Sequence, residues 1–92
     1  MRKDTATITA ELLKKLRRRE NWGGRHTALD NAIKGVPSHL RGEMRETAEE
    51  LIKEGLLLSH PTGYGIQVSL NPQRKAEIDR IIKEVLGEEP NP

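Results

Sequence analysis

The stretch that most limits what this 92-residue chain can fold into is "ELIKEGLLLSHPTGYGIQVSLNP", residues 50–72. Up to Gly55 the apolar residues Leu40, Met44, Ala48, Leu51 and Ile52 recur with a helical period. Beyond it Ile66, Val68 and Leu70 alternate with Gln67 and Ser69, a period of two. One element cannot satisfy both periods, because side chains share a face every 3.6 residues in a helix and every second residue in a strand. The helix therefore has to stop at Gly55, and a strand through Leu56–Leu58 has to turn back into a strand through Ile66–Leu70. Pro61, Gly63 and Gly65 mark the turn. Counted from His60 to Gly65 it is longer than a two-residue hairpin loop, which predicts a projecting tip.

The flanking segments fit around this switch. In "TATITAELLKKLRRREN" Ile8, Leu12 and Leu16 fall at i, i+4, i+8, with Leu13 widening the stripe, and "NWGG" breaks the helix. "HTALDNAIKGVP" predicts a short second helix of about two turns, with Thr27 and Asp30 resembling a capping box and Gly35 ending it. Pro37 or Ser38 opens a third helix over 38–54. Asn71-Pro72 caps and starts a last helix over 72–86, closed by Gly87. The predicted fold is mainly α with a β-hairpin (α+β), in the order helix, helix, helix, hairpin, helix. Residues 1–86 form one domain, and 87–92 a short flexible tail.

Composition removes several function classes. There is no Cys, so disulfides, thiolate catalysis and zinc–thiolate sites are out, and a reducing cytoplasm fits. No apolar run approaches the ~20 residues of a membrane span. His26, His39 and His60 lie on three different segments, which does not suggest a metal site. Glu49-Glu50 are neighbours that point apart on a helix, and Ser38-His39 lack a third member of a triad. No enzymatic role and no cofactor are expected. Charge is uneven: residues 1–45 hold eleven Lys/Arg against five Asp/Glu, and residues 46–92 hold five against nine. The first half suits a polyanion; the alternative is two solvated faces.

Two central helices joined by a tight glycine-containing turn, followed directly by a hairpin, resemble the winged helix-turn-helix family, and more particularly the small archaeal winged-helix proteins. The resemblance covers residues 5–86 and rests on "HTALDNAIKGVPSHLRGEMRETAEELIKEGLLLSH" followed by "GYGIQVSLNP". It implies double-stranded DNA binding, usually in transcriptional regulation, with the third helix in the major groove and the wing on the backbone or minor groove. Carried over, Ser38, His39, Arg41, Gly42 and Arg45 face DNA and His60, Thr62 and Tyr64 flank it. One departure is that an unwinged helix-turn-helix, counted from Gly35, puts an apolar residue where Arg41 stands; here it is Leu40.

Each candidate has a plainer reading beside it. Arg41 and Arg45 sit at i, i+4 and can project together, and Arg can donate two hydrogen bonds to guanine, worth ~1–3 kcal/mol of discrimination. They can equally form surface salt bridges, such as Arg45 with Glu49. Gly42 permits either a close DNA backbone or close packing on the first helix. Lys34, with Arg17–Arg19 and Arg25, reads as phosphate contacts or as a solubilising surface. Trp22 reads as an anchor over the first helix rather than a stacking platform, which counts against RNA as the ligand. Ile78, Ile82 and Val85 form a stripe on the last helix that either packs back onto the domain or makes a homodimer contact. The rival function is a protein-interaction module using the acidic half, with Glu46, Glu49, Glu50 and Glu54 on the third helix.

Overall fold

The computed structural model describes residues 5–88. Helix α1 spans Thr5–Arg18, strand β1 Thr27–Ala28, helix α2 Leu29–Ala32 and helix α3 Ser38–Glu54. Strands β2 (Leu57–Thr62) and β3 (Gly65–Leu70) follow, then a 3-10 turn (Pro72–Arg74) and helix α4 (Lys75–Leu86). The fold is α+β, with helices around an antiparallel three-stranded sheet of order β1-β3-β2, an arrangement compatible with a winged-helix layout. Residues 1–4 of the predicted domain and 89–92 of the predicted tail lie outside the described residues.

The change of period falls where expected. α3 ends at Gly55, whose φ of 83° is a left-handed cap conformation that glycine adopts without a Cβ clash. Asn71 then joins two junctions. Its side chain donates to Gly55 O (2.9 Å) and accepts from Gln73 N–H (3.0 Å), so it clamps the end of α3 to the start of the last helical segment. Pro72 occupies the first position of that segment, as expected.

Two elements differ from expectation. The segment read as a two-turn helix from Thr27 is a two-residue strand followed by a single turn of helix. Thr27 pairs with Val68 and Ala28 with Gln67. β3 would otherwise present a bare edge, and satisfying its backbone groups outweighs the local helical pattern. Consequently Ala28, with no side-chain cap bond, precedes α2, and Thr27–Asp30 is not a capping box. The wing tip also differs. β2 runs through His60 and Pro61 to Thr62, and Thr62 pairs with Gly65, leaving only Gly63 and Tyr64 as the turn. Pro61 is tolerated because β2 is an edge strand, where a missing N–H leaves no ladder bond unmade.

The core gathers Leu12, Leu13 and Leu16 of α1, Ala48 and Leu51 of α3, Leu56, Leu57, Val68 and Leu70 around the sheet, and Ile78 and Ile82 of α4. Of the two readings of the α4 stripe, Ile78 and Ile82 take the one that packs back onto the domain. Ile78 and Ile82 are both 0% exposed within the monomer, packed with the α1 leucines in one core, and only Val85 reaches solvent. An amphipathic stripe on a terminal helix is first used to close the domain's own core. Trp22 is half-buried against the same cluster and bridges Leu70, so it anchors the end of α1. The α1–α4 contact is fastened by Arg17, which donates to Asp79 at 2.9 Å, with both side chains 14% exposed. Lys75 donates to the other Asp79 oxygen at 2.5 Å. Burial works to raise the Asp79 carboxyl, but the hydrogen bonds and charges of Lys75 and Arg17 together outweigh it and hold it below its ordinary value.

Candidate nucleic-acid interface

The predicted contact residues fall into two groups. The first lies on α3 and the turn before it. Apolar residues at 44, 48 and 51 bury one side of α3, joined by Thr47. That rotation leaves Ser38, His39, Arg41, Gly42 and Arg45 exposed on its first two turns. Leu40 is half-buried and Arg41 exposed, so the apolar position of the turn is Leu40. Gly42 has open space around it: a Cβ added there meets nothing within 4 Å. Its small size therefore serves no packing against α1.

The arginines do not simply project. Arg41 Nε donates to Val36 O at 3.1 Å, which folds its stem over the α2–α3 turn. Arg45 forms an ion pair with Asp30 of α2, not with Glu49. Both side chains of that pair are well exposed, 49% for Arg45 and 72% for Asp30. Together with Lys34 and Ile33 these residues line a cleft of ≈130 Å³. Lys34 is itself exposed, while its carbonyl accepts from Lys15 Nζ at 2.8 Å. The Lys15 ammonium is held below its ordinary value by burial first and by Arg19 second. The structure thus brings Lys34, Arg41 and Arg45 to one small concave place, cationic except for Asp30.

The second group lies on the hairpin. Thr62 Oγ1 donates to Gly65 O (2.8 Å) and accepts from Tyr64 N–H (3.1 Å), which stitches the tip together. Gly65 has a φ of 124°, accessible cheaply only to glycine. Tyr64, at 103% exposure, is held out by this turn with its ring against nothing. His60 behaves differently. It points from the outward side of the sheet, stacks on His26 with ring centroids 4.4 Å apart, and lies 3.4 Å from Ser69 Oγ. His26 Nδ1 is hydrogen-bonded to Gln67 Oε1. His60 therefore belongs to a half-buried polar cluster on the sheet rather than to the tip.

Sequence reasoning missed three members. Asp30, which the sequence places in a capping box, is the partner of Arg45. His26 and Gln67 carried no signal, because their meeting with His60 follows from the β1–β3–β2 register: Gln67 is paired with both Ala28 and His60. Of the basic residues after Leu16, Arg17 is structural, taken up by Asp79.

On the far side of α3 a groove of ≈980 Å³ opens between α1, α3 and the start of α4. Glu43, Glu46, Glu50, Glu54 and Glu77 line it above Ile8 and Ile81. Helix α3 is thus cationic on its early exposed turns and acidic along the groove. No family model, no curated protein and no solved structure matches this chain.

Proposed function

We propose that this chain is a winged-helix protein that binds double-stranded DNA, a small cytoplasmic transcriptional regulator. Helix α3 docks in the major groove and the 60–65 wing reaches the backbone or minor groove. The observation that carries the reading is the exposed early half of α3, where Arg41 and Arg45 rise on successive turns beside Lys34 with an unobstructed Gly42 between them. Cations placed this way neutralise phosphates and release counterions, and the arginine forks suit guanine O6 and N7. Gly42 lets the duplex come close to the helix axis. Tyr64 supplies an exposed ring and hydroxyl at the tip.

A second reading is a protein-interaction module. The acid-lined groove between α1, α3 and α4 favours it, since its charge suits a basic partner segment. Fluorescence anisotropy with a labelled random duplex at about 50 mM salt separates the two. The DNA reading expects binding that weakens with added salt and with Arg41→Ala or Arg45→Ala. Undetectable binding sinks it. Equal competition by duplex RNA would move the ligand from DNA to RNA, and capture of a protein partner insensitive to both arginine variants would favour the module.

A further inference from the structure

Asp30 stands in a telling place. It is fifteen residues before Arg45 in sequence, on a different helix, and it meets Arg45 Nη2 across the mouth of the ≈130 Å³ cleft that Lys34 and Arg41 also line. Asp30 is therefore the one acid among three cations at the place where the DNA-binding reading seats the duplex. The pair is too exposed to contribute much to folding: exposed ion pairs are worth ~0.2–1 kcal/mol, because water and salt screen them and the side chains lose freedom. Asp30 lies in the first turn of α2, where an acid suits the helix dipole, but it makes no side-chain cap bond there.

We propose that Asp30 is an internal stand-in for a DNA phosphate. It holds Arg45 in the free protein and is exchanged for a phosphate or a base edge when duplex docks; the inference rests on the DNA-binding reading. The exchange has a physical consequence. Arg45 gives up one anionic partner to gain another, so its net gain is the difference between the two, and the abandoned carboxylate then faces the phosphates. A contact that offers Arg45 only a phosphate repays little of this. A guanine offering O6 and N7 as two acceptors repays more. Asp30 thus lowers affinity for duplex by competing for Arg45 in the free protein, and it is an affinity-setting residue that touches no DNA itself.

The test is a double-variant cycle read on labelled random duplex at about 0.1 M salt, where charges beyond roughly 10 Å are screened. Asp30→Asn is expected to tighten binding about three- to five-fold, the size of an exposed pair removed from the unbound state. In the Arg45→Ala background the same change is expected to do less, since only the carboxylate's repulsion of the phosphates is then relieved; Glu84→Gln, which alters net charge equally on α4, is the control for charge alone. Melting temperature checks that Asp30→Asn leaves the fold intact, a readout on which a merely structural Asp30 would show loss. If Asp30→Asn acts equally in both backgrounds, or only as strongly as Glu84→Gln, the inference is overturned while the DNA reading stands. If neither the parent protein nor Asp30→Asn binds duplex, both fall. Binding seen only after Asp30→Asn supports the inference in its strongest form.

Discussion

Two arginine–aspartate pairs in this chain have the same chemistry and opposite surroundings. Arg17–Asp79 joins α1 to α4 with both partners 14% exposed and Lys75 completing the carboxylate. Arg45–Asp30 joins α3 to α2 with both partners largely in water. In the first, removing one partner strands a charge that has little water to turn to, so the pair behaves as a fastener. In the second, either partner can be solvated or exchanged at small cost, so the pair behaves as a latch. Burial, and not the identity of the residues, separates the fold's charges from those available to a ligand.

The largest effect expected is on the fastener. Asp79→Ala should lower unfolding free energy by about 2–3 kcal/mol, below the range for a fully buried pair because some water reaches it; chemical denaturation measures it. The DNA affinity of such a variant, taken well below its melting temperature, should be nearly unchanged. Next in size, Arg45→Ala should weaken random-duplex binding about ten-fold in an anisotropy titration, since it removes a cation and leaves Asp30 facing the phosphates, while stability moves by less than about 0.5 kcal/mol. If Arg45→Ala unfolds the protein instead, the two pairs do not differ as described.

Gly42→Ala sharpens the same division. A helical glycine with open space around it costs about 1 kcal/mol relative to alanine, so the substitution should stabilise by about that amount. Its duplex binding should fall if the glycine admits the DNA backbone. A stabilised variant with unchanged binding would remove Gly42 from the interface.

The smallest effect is one of pH. The Asp79 carboxyl is held below its ordinary value by Lys75 and Arg17 against the pull of burial. A depressed carboxylate contributes stability that is complete above its unfolded value, about 3.9, and is lost as pH falls through the folded value. Stability of the parent protein should therefore decline more steeply below about pH 4 than that of Asp79→Asn. Parallel curves would show that the pair is not coupled to folding.

Much of the scaffold was legible because it depends on local periodicity. The third helix over 38–54, its glycine cap and the Asn71-Pro72 start follow from spacing and from backbone conformations that few residues adopt. What escaped depends on contacts between segments distant in the chain. β1 exists only because β3 has an edge to satisfy, so "HTALD" alone reads as a helix start. Ile78 and Ile82 advertise an apolar stripe without saying what covers it, and α1 covers it. From sequence the wing tip reads as a longer loop, because Pro61 counts against a strand unless the strand is known to be an edge. Within the site, the exposed positions of α3 were readable from the helical period, but the partners of Arg41 and Arg45 were not. Val36 O and Asp30 reach them only through the path of the α2–α3 turn.

The central claim, that the early half of α3 is a cationic reader of duplex DNA, is tested most directly by salt dependence. Binding of random duplex should be titrated across salt for the parent protein and for Arg41→Ala/Arg45→Ala. Each phosphate neutralised contributes about −0.9 to the slope of log affinity against log salt. The account predicts a parent slope of about −3, with Lys34, Arg41 and Arg45 each engaging a phosphate, and a double variant about two shallower. Equal slopes for the two proteins, or a parent that does not bind, would contradict it.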